Sequence, residues 1–249
     1  MVSLLLATVL ATAPLDPQRA ALLEVLQHGG DSAGCQPAQT RAAALSATFR
    51  RLGSLAGGEV VLAEVESPCI CGAQNCPYYV LRLDRGAPKL LYATFGISLS
   101  TVLAVPLPTL IVAAHDSALV TDETTVAWRN GRYVEASSAR IRGDTGARKP
   151  NAIPVRFAPG GSSVVLHGTA SIGWYDSYAF AATRGQELTI SAVRARAPVS
   201  ILVFLADGST NAEVVPGKPY TLPKTGSYRV QIEIAADKDQ PYSLTLEIR

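Results

Sequence analysis

Charge of one sign, long apolar runs and the short signatures of enzymes are all missing from this sequence. Its 249 residues carry 22 Lys and Arg against 20 Asp and Glu, a formal net charge of +2 with a sequence pI near 8.4. So even a balance argues against nucleic acid as a partner. Beyond the N-terminal end no apolar run approaches the roughly 20 residues that span a bilayer, which excludes membrane spanning for the body of the chain. No G-x-S-x-G elbow occurs, the nearest stretch being Gly96-Ile97-Ser98-Leu99-Ser100. H-E-x-x-H, P-loop and dinucleotide fingerprints are absent as well. His115-Asp116-Ser117 holds the residue types of a hydrolase triad, but adjacent residues at a strand end point different ways and cannot form the relay. Glu64 and Glu66 share one strand face and read as a solvated pair. The expectation is a protein that is not an enzyme.

What is present starts with an apolar leader. MVSLLLATVLATAPLD runs apolar from Val2 to about Thr12 and ends in Ala11-Thr12-Ala13, the pattern of a secretory signal over residues 1–13, although no positive charge precedes the run. Export to the periplasm or the medium is the expectation. Helical spacing follows over Asp16 to Gln27, with Gly29-Gly30 as its stop, and a second Ala-rich helix is expected from Gln39 to Leu55, ended by Gly57-Gly58, so residues 14–56 read as a helical segment.

From Glu59 the texture changes to short runs rich in Val, Leu, Tyr and Thr, such as EVVLAEVES, YYVLRLD, KLLYATFGI and RYVEASSARI. Turn residues divide them, which predicts an antiparallel β-meander over residues 57–142, with Asn130-Gly131 as a two-residue hairpin turn. Residues 143–160 are poor in large apolar side chains and rich in Pro and Gly, the composition of a linker. Strand texture resumes over residues 161–249, where short strands between turns predict a β-sandwich. Fold class is therefore mainly β: a helical start, a β-meander domain and a β-sandwich.

Within the last region the order Asp176-Ser177-Tyr178-Ala179-Phe180, Gly185-Gln186-Glu187-Leu188-Thr189-Ile190, Ile201 to Gly208, Leu222-Pro223-Lys224-Thr225-Gly226-Ser227-Tyr228 and Tyr242 to Leu246 resembles the bacterial pre-peptidase C-terminal domain. That resemblance covers about residues 160–249 and implies a jelly-roll-like sandwich on an exported protein, with a binding or spacer role. Read from the residues themselves, Tyr178, Phe180, Leu188 and Ile190 alternate onto one face and fill the space between sheets, while Tyr228 buries its ring and satisfies its hydroxyl at an edge. Some relatives bind calcium through acidic loops. Here only Asp176, Asp207 and Glu213 are candidates, a thin set for a cation that takes six to eight oxygens.

Three of the four cysteines crowd into Cys69-Ile70-Cys71-Gly72-Ala73-Gln74-Asn75-Cys76. Zinc would need Cys35 or one of His28, His115 and His167 beside C-x-C-x4-C, a spacing unlike the common ribbons, and no C-x-x-C is available for redox work. In an exported chain an even count favours disulfides. Cys71 with Cys76 would close a tight turn and leave Cys35 for Cys69, one of the three pairings that four cysteines allow. The same stretch, Cys71-Gly72-x-x-x-Cys76 before a strand and a meander closing in Trp128-Arg129-Asn130-Gly131-Arg132-Tyr133, resembles periplasmic lysozyme inhibitors and related immunity proteins over about residues 57–142. The resemblance implies an exposed loop that plugs a hydrolase, without assigning it to positions.

From the residues, His115, Asp116, Ser117 and Asp122 in AAHDSALVTDE form a candidate partner-binding loop. The leading expectation is an exported protein that binds a protein partner, a peptidoglycan hydrolase above all. Its rival is a module that binds cell-wall glycan by stacking sugars on Trp128, Tyr133, Trp174, Tyr175 and Tyr178. No cofactor is expected.

Overall fold

A computed structural model describes residues 15–29, 32–84, 87–205 and 211–249. The leader and Asp207 lie outside the described residues. Helices α1 (Pro17–His28) and α2 (Pro37–Ser46) come first. Strands β1 (Thr48–Leu55), β2 (Gly58–Glu64), β3 (Cys76–Leu83), β4 (Lys89–Gly96), β5 (Ser98–Val102), β6 (Thr109–His115), β7 (Val120–Arg129), β8 (Arg132–Arg142), β9 (Arg148–Pro150) and β10 (Ile153–Pro154) follow. The chain then forms β11 (Ser163–Ala170), β12 (Asp176–Ala182), β13 (Glu187–Arg194), β14 (Val199–Leu205), β15 (Asn211–Glu213), β16 (Tyr220–Thr221), β17 (Gly226–Ile234) and β18 (Gln240–Ile248). The protein is mainly β, with its helices at the N-terminal side and its sheets largely antiparallel.

Contacts divide the chain into two compact units, 1–112 with 126–134, and 113–125 with 135–249. In the first, β1-β2-β3-β4 form a sheet whose β2 and β3 are buried on both faces. Val61, Ala63, Tyr79 and Leu81 pack with Leu22, Leu26, Ala43 and Ala44 of the helices. Val60, Leu62, Tyr78 and Val80 point the other way, onto Leu107, Leu110, Val126 and Tyr133. Period-two alternation makes this division automatic, since one register serves two cores.

The second helix is shorter than the sequence suggests. It stops at Ser46, and Thr48–Leu55 is a strand paired to β2. The reason is the turn: Ala56 and Gly57 both have positive φ, 47° and 82°, the geometry of a two-residue hairpin loop. Glycine here ends a strand, not a helix. Asp16 caps α1, accepting from the Arg19 backbone N–H at 2.9 Å. Asn130 and Gly131, with φ of 51° and 80°, turn β7 into β8.

In the second unit, β11-β18-β13-β16 and β10-β12-β17-β14-β15 form the sandwich. Their inner faces bury Leu188, Ile190, Leu244 and Leu246 with Tyr178, Phe180, Val203, Tyr228 and Val230. The Tyr228 hydroxyl donates to the Lys224 carbonyl at 2.6 Å and accepts from the Lys224 N–H at 3.1 Å, which closes that corner. The stretch read as a linker carries structure of its own: β9 pairs with β8, β10 pairs in parallel with β12, and Ile153, Val155 and Phe157 pack on the sandwich core. Their alternation half-buries one face despite the surrounding Pro and Gly.

Candidate functional site

The four cysteines form two disulfides, Cys35–Cys69 and Cys71–Cys76. Inside the smaller ring the Gly72 N–H donates to the Asn75 carbonyl at 2.8 Å, so the loop is a closed turn leading into β3. Cys35 and Cys69 are half-buried against the helix-facing core. Beside the ring, Glu64 on β2 accepts from the Tyr78 hydroxyl at 3.0 Å, and with Glu66 it borders a groove of about 460 Å³.

Two other features stand out, one in each unit. In the first, the end of β5 and the segment after it expose apolar side chains: Val102 is 53% exposed, and Leu103 and Val105 are each 97% exposed. Leu107, two residues on, is 1% exposed and anchors the segment in the core. Single exposed apolar residues need no explanation, but two outward apolar side chains one residue apart at a loop tip, with a buried leucine two residues further on, make an apolar protrusion. STVLAVPLP has the composition of a strand, which hides this tip in the sequence. Its legible signal is Pro106 and Pro108, which cannot donate to a ladder.

In the second unit the candidate loop residues fall on a tight turn. His115 ends β6, Asp116 and Ser117 donate their backbone N–H groups to the Val120 carbonyl, and Asp122 stands on β7. Asp116 is exposed and accepts weakly from the Tyr175 hydroxyl at 3.4 Å. Asp122 instead lines a cavity of about 240 Å³ together with Arg140, Asn151, Tyr175, Phe204 and Arg229. Burial pushes its carboxyl up to about 6; Asp116 adds to the rise, and Arg140 and Arg229 oppose it. The four residues are thus not one protruding surface.

The proposed stacking rings are largely committed elsewhere. Trp174 and Tyr133 are buried, at 2% and 7% exposure. Trp128 meets Tyr133 edge to face at 5.1 Å between centroids. The Arg140 guanidinium lies 3.5 Å from the Tyr175 centroid, and Arg142 and Lys149 stand 5.2 and 5.0 Å from that of Trp174. Tyr178 is buried in the core, its hydroxyl 2.9 Å from that of Tyr242. A ring that is buried or already covered by a cation offers no open face to a sugar. The calcium reading meets a similar correction, since buried Asp176 holds Lys149 at 2.9 Å and accepts from Tyr242 at 2.8 Å.

No protein-family model matches the chain, and no curated protein matches it. Solved structures do match.

They include the periplasmic inhibitor of g-type lysozyme, PliG, of Salmonella Typhimurium, at 23% identity over 41% of this chain and 100% of that one, with a TM-score of 0.36. PliG of Aeromonas hydrophila matches at 23% identity over 40% and 96%, with a TM-score of 0.33. The pre-peptidase C-terminal domain of a Bacillus anthracis collagenase matches at 14% identity over 40% and 93%, with a TM-score of 0.28. Among the described residues, no helix is long and apolar enough to cross a membrane.

Proposed function

We propose that the chain is an exported, non-enzymatic binding protein of the cell envelope, and that its β-meander docks on and blocks a lysozyme-like peptidoglycan hydrolase through the loop after β5. The observation that carries this reading is the near-complete exposure of Leu103 and Val105 at the tip of a loop rooted by buried Leu107. Each such side chain gains roughly 1.5–3 kcal/mol when a partner removes it from water. The hydrolase as partner comes from the sequence resemblance over residues 57–142, and the periplasmic or secreted location from the same resemblance together with the leader.

The test uses the full chain against a panel of lysozymes, g-type included, with lysis rates and gel filtration as readouts. One lysozyme should lose activity and co-elute with the protein. L103D together with V105D should abolish both effects while the thermal midpoint stays unchanged. A fully active panel with no complex would end the reading.

A further inference from the structure

Arg140 is 1% exposed, yet among the described residues its Nε and Nη1 have no hydrogen-bond partner. Only Nη2 is engaged, donating to the Tyr175 carbonyl at 2.5 Å while the guanidinium plane stacks on the Tyr175 ring. Leaving buried donors of a charged group unmatched is costly, and a protein tolerates it where a ligand supplies the acceptors. The same cavity holds two more unmatched buried atoms, Asp122 Oδ1 and Asn151 Oδ1. Its floor is the outer face of the β12-β17-β14 sheet, where Phe204 and Arg229 sit directly opposite in register. All of these residues belong to the second unit.

The chemistry of the lining selects the ligand. Two guanidiniums against one carboxylate make the cavity positive, so it favours an anion, and an arginine matches a carboxylate in both charge and geometry. Asp122 Oδ1 and Asn151 Oδ1 are acceptors and call for a donor on the same molecule. Phe204 supplies an apolar wall. At about 240 Å³ the space exceeds several-fold the roughly 30 Å³ of a water molecule and lies below the usual range for drug-sized ligands.

We propose that this cavity binds a small hydroxy- or amino-carboxylate, its carboxylate taken by Arg140 and Arg229 and its hydroxyl or ammonium donating to Asp122 and Asn151. None of the residues of the loop after β5 enters this site, so it stands or falls separately from the docking of a hydrolase.

Calorimetric titration of the full chain with lactate, glycerate, alanine and glutamate, against glycerol and inorganic phosphate, tests it. At least one of the four carboxylates should bind with a millimolar or tighter dissociation constant, and glycerol should give no heat. R229Q, at a half-buried residue, should weaken that binding at least tenfold with the thermal midpoint unchanged; R140Q should abolish it, and R229Q decides the matter if R140Q fails to fold. No heat from any carboxylate, binding of phosphate alone, equal binding of glycerol, or an affinity unmoved by R229Q would each overturn the assignment.

Discussion

Asp122 shows how much a single carboxyl can be changed by its surroundings. On β7 it sits among outward-facing polar residues, yet it lines the cavity, with Asp116 raising its affinity for a proton and the guanidiniums of Arg140 and Arg229 lowering it. Desolvation outweighs both guanidiniums, and the carboxyl titrates at about 6 in place of the ordinary 3.8. The sign of the linkage follows. The folded state holds its proton more tightly than the unfolded state, so this group's contribution to stability is greatest below about pH 4, declines between pH 4 and 6, and stays lower above that. D122N removes the charge and the dependence together. It should raise the midpoint of thermal unfolding at pH 7 by the equivalent of about 1 kcal/mol, the full linkage being discounted for partial exposure, and should flatten the profile from pH 4 to 6. An unchanged slope in D122N would place the titrating group elsewhere.

At the level of elements the two disulfides do unequal work. Cys35–Cys69 spans 34 residues and ties the segment between α1 and α2 to the loop before β3, whereas Cys71–Cys76 spans only 5. Restricting the longer loop removes more freedom from the unfolded chain, about 4 kcal/mol against about 2 kcal/mol in the chain-entropy account. Chemical denaturation should therefore find C35A with C69A the more damaging pair, and the reverse order would show that strain or residual unfolded structure governs the difference. Much of this level was legible beforehand. Cysteine parity and crowding pointed to these bridges, Asn130-Gly131 to the hairpin, and helical apolar spacing from Asp16 to Gln27 to α1. The strand β1 was not legible, because Gly57-Gly58 reads equally well as the stop of a helix or the turn of a hairpin. Only pairing of Thr48–Leu55 with β2 decides between them.

For the whole molecule, the chain passes back and forth between its two units, and the divisions fall within β6, β7 and β8. Sequence composition places the second module at residues 161–249, but Lys149 on β9 neutralises the buried Asp176 of β12, and β10 extends the sandwich sheet. A fragment of residues 161–249 lacks both. Removing one partner of a buried ion pair costs roughly 3–5 kcal/mol, so this fragment should unfold well below one of residues 143–249, as calorimetry would report. Equal midpoints would mean that the sandwich is complete from residue 161 and that the Lys149 pair adds nothing.

The sequence by itself determined what depends on local order: the mainly β class, the alternating cores, the hairpin turn, the crowding of cysteines and the absence of catalytic motifs. Period-two alternation and turn chemistry act within a few residues, so they can be read along the chain. Tertiary structure alone decided which polar groups are buried and which apolar ones are not. Arg140 lies in an ordinary polar stretch of β8, and Leu103 and Val105 lie in an ordinary apolar one. The first becomes a buried cation because Tyr175, 35 residues away, covers it. The others become an exposed tip because Leu107 takes the place in the core that they would otherwise fill. Burial is a property of what arrives from elsewhere in the chain, and no local pattern records it.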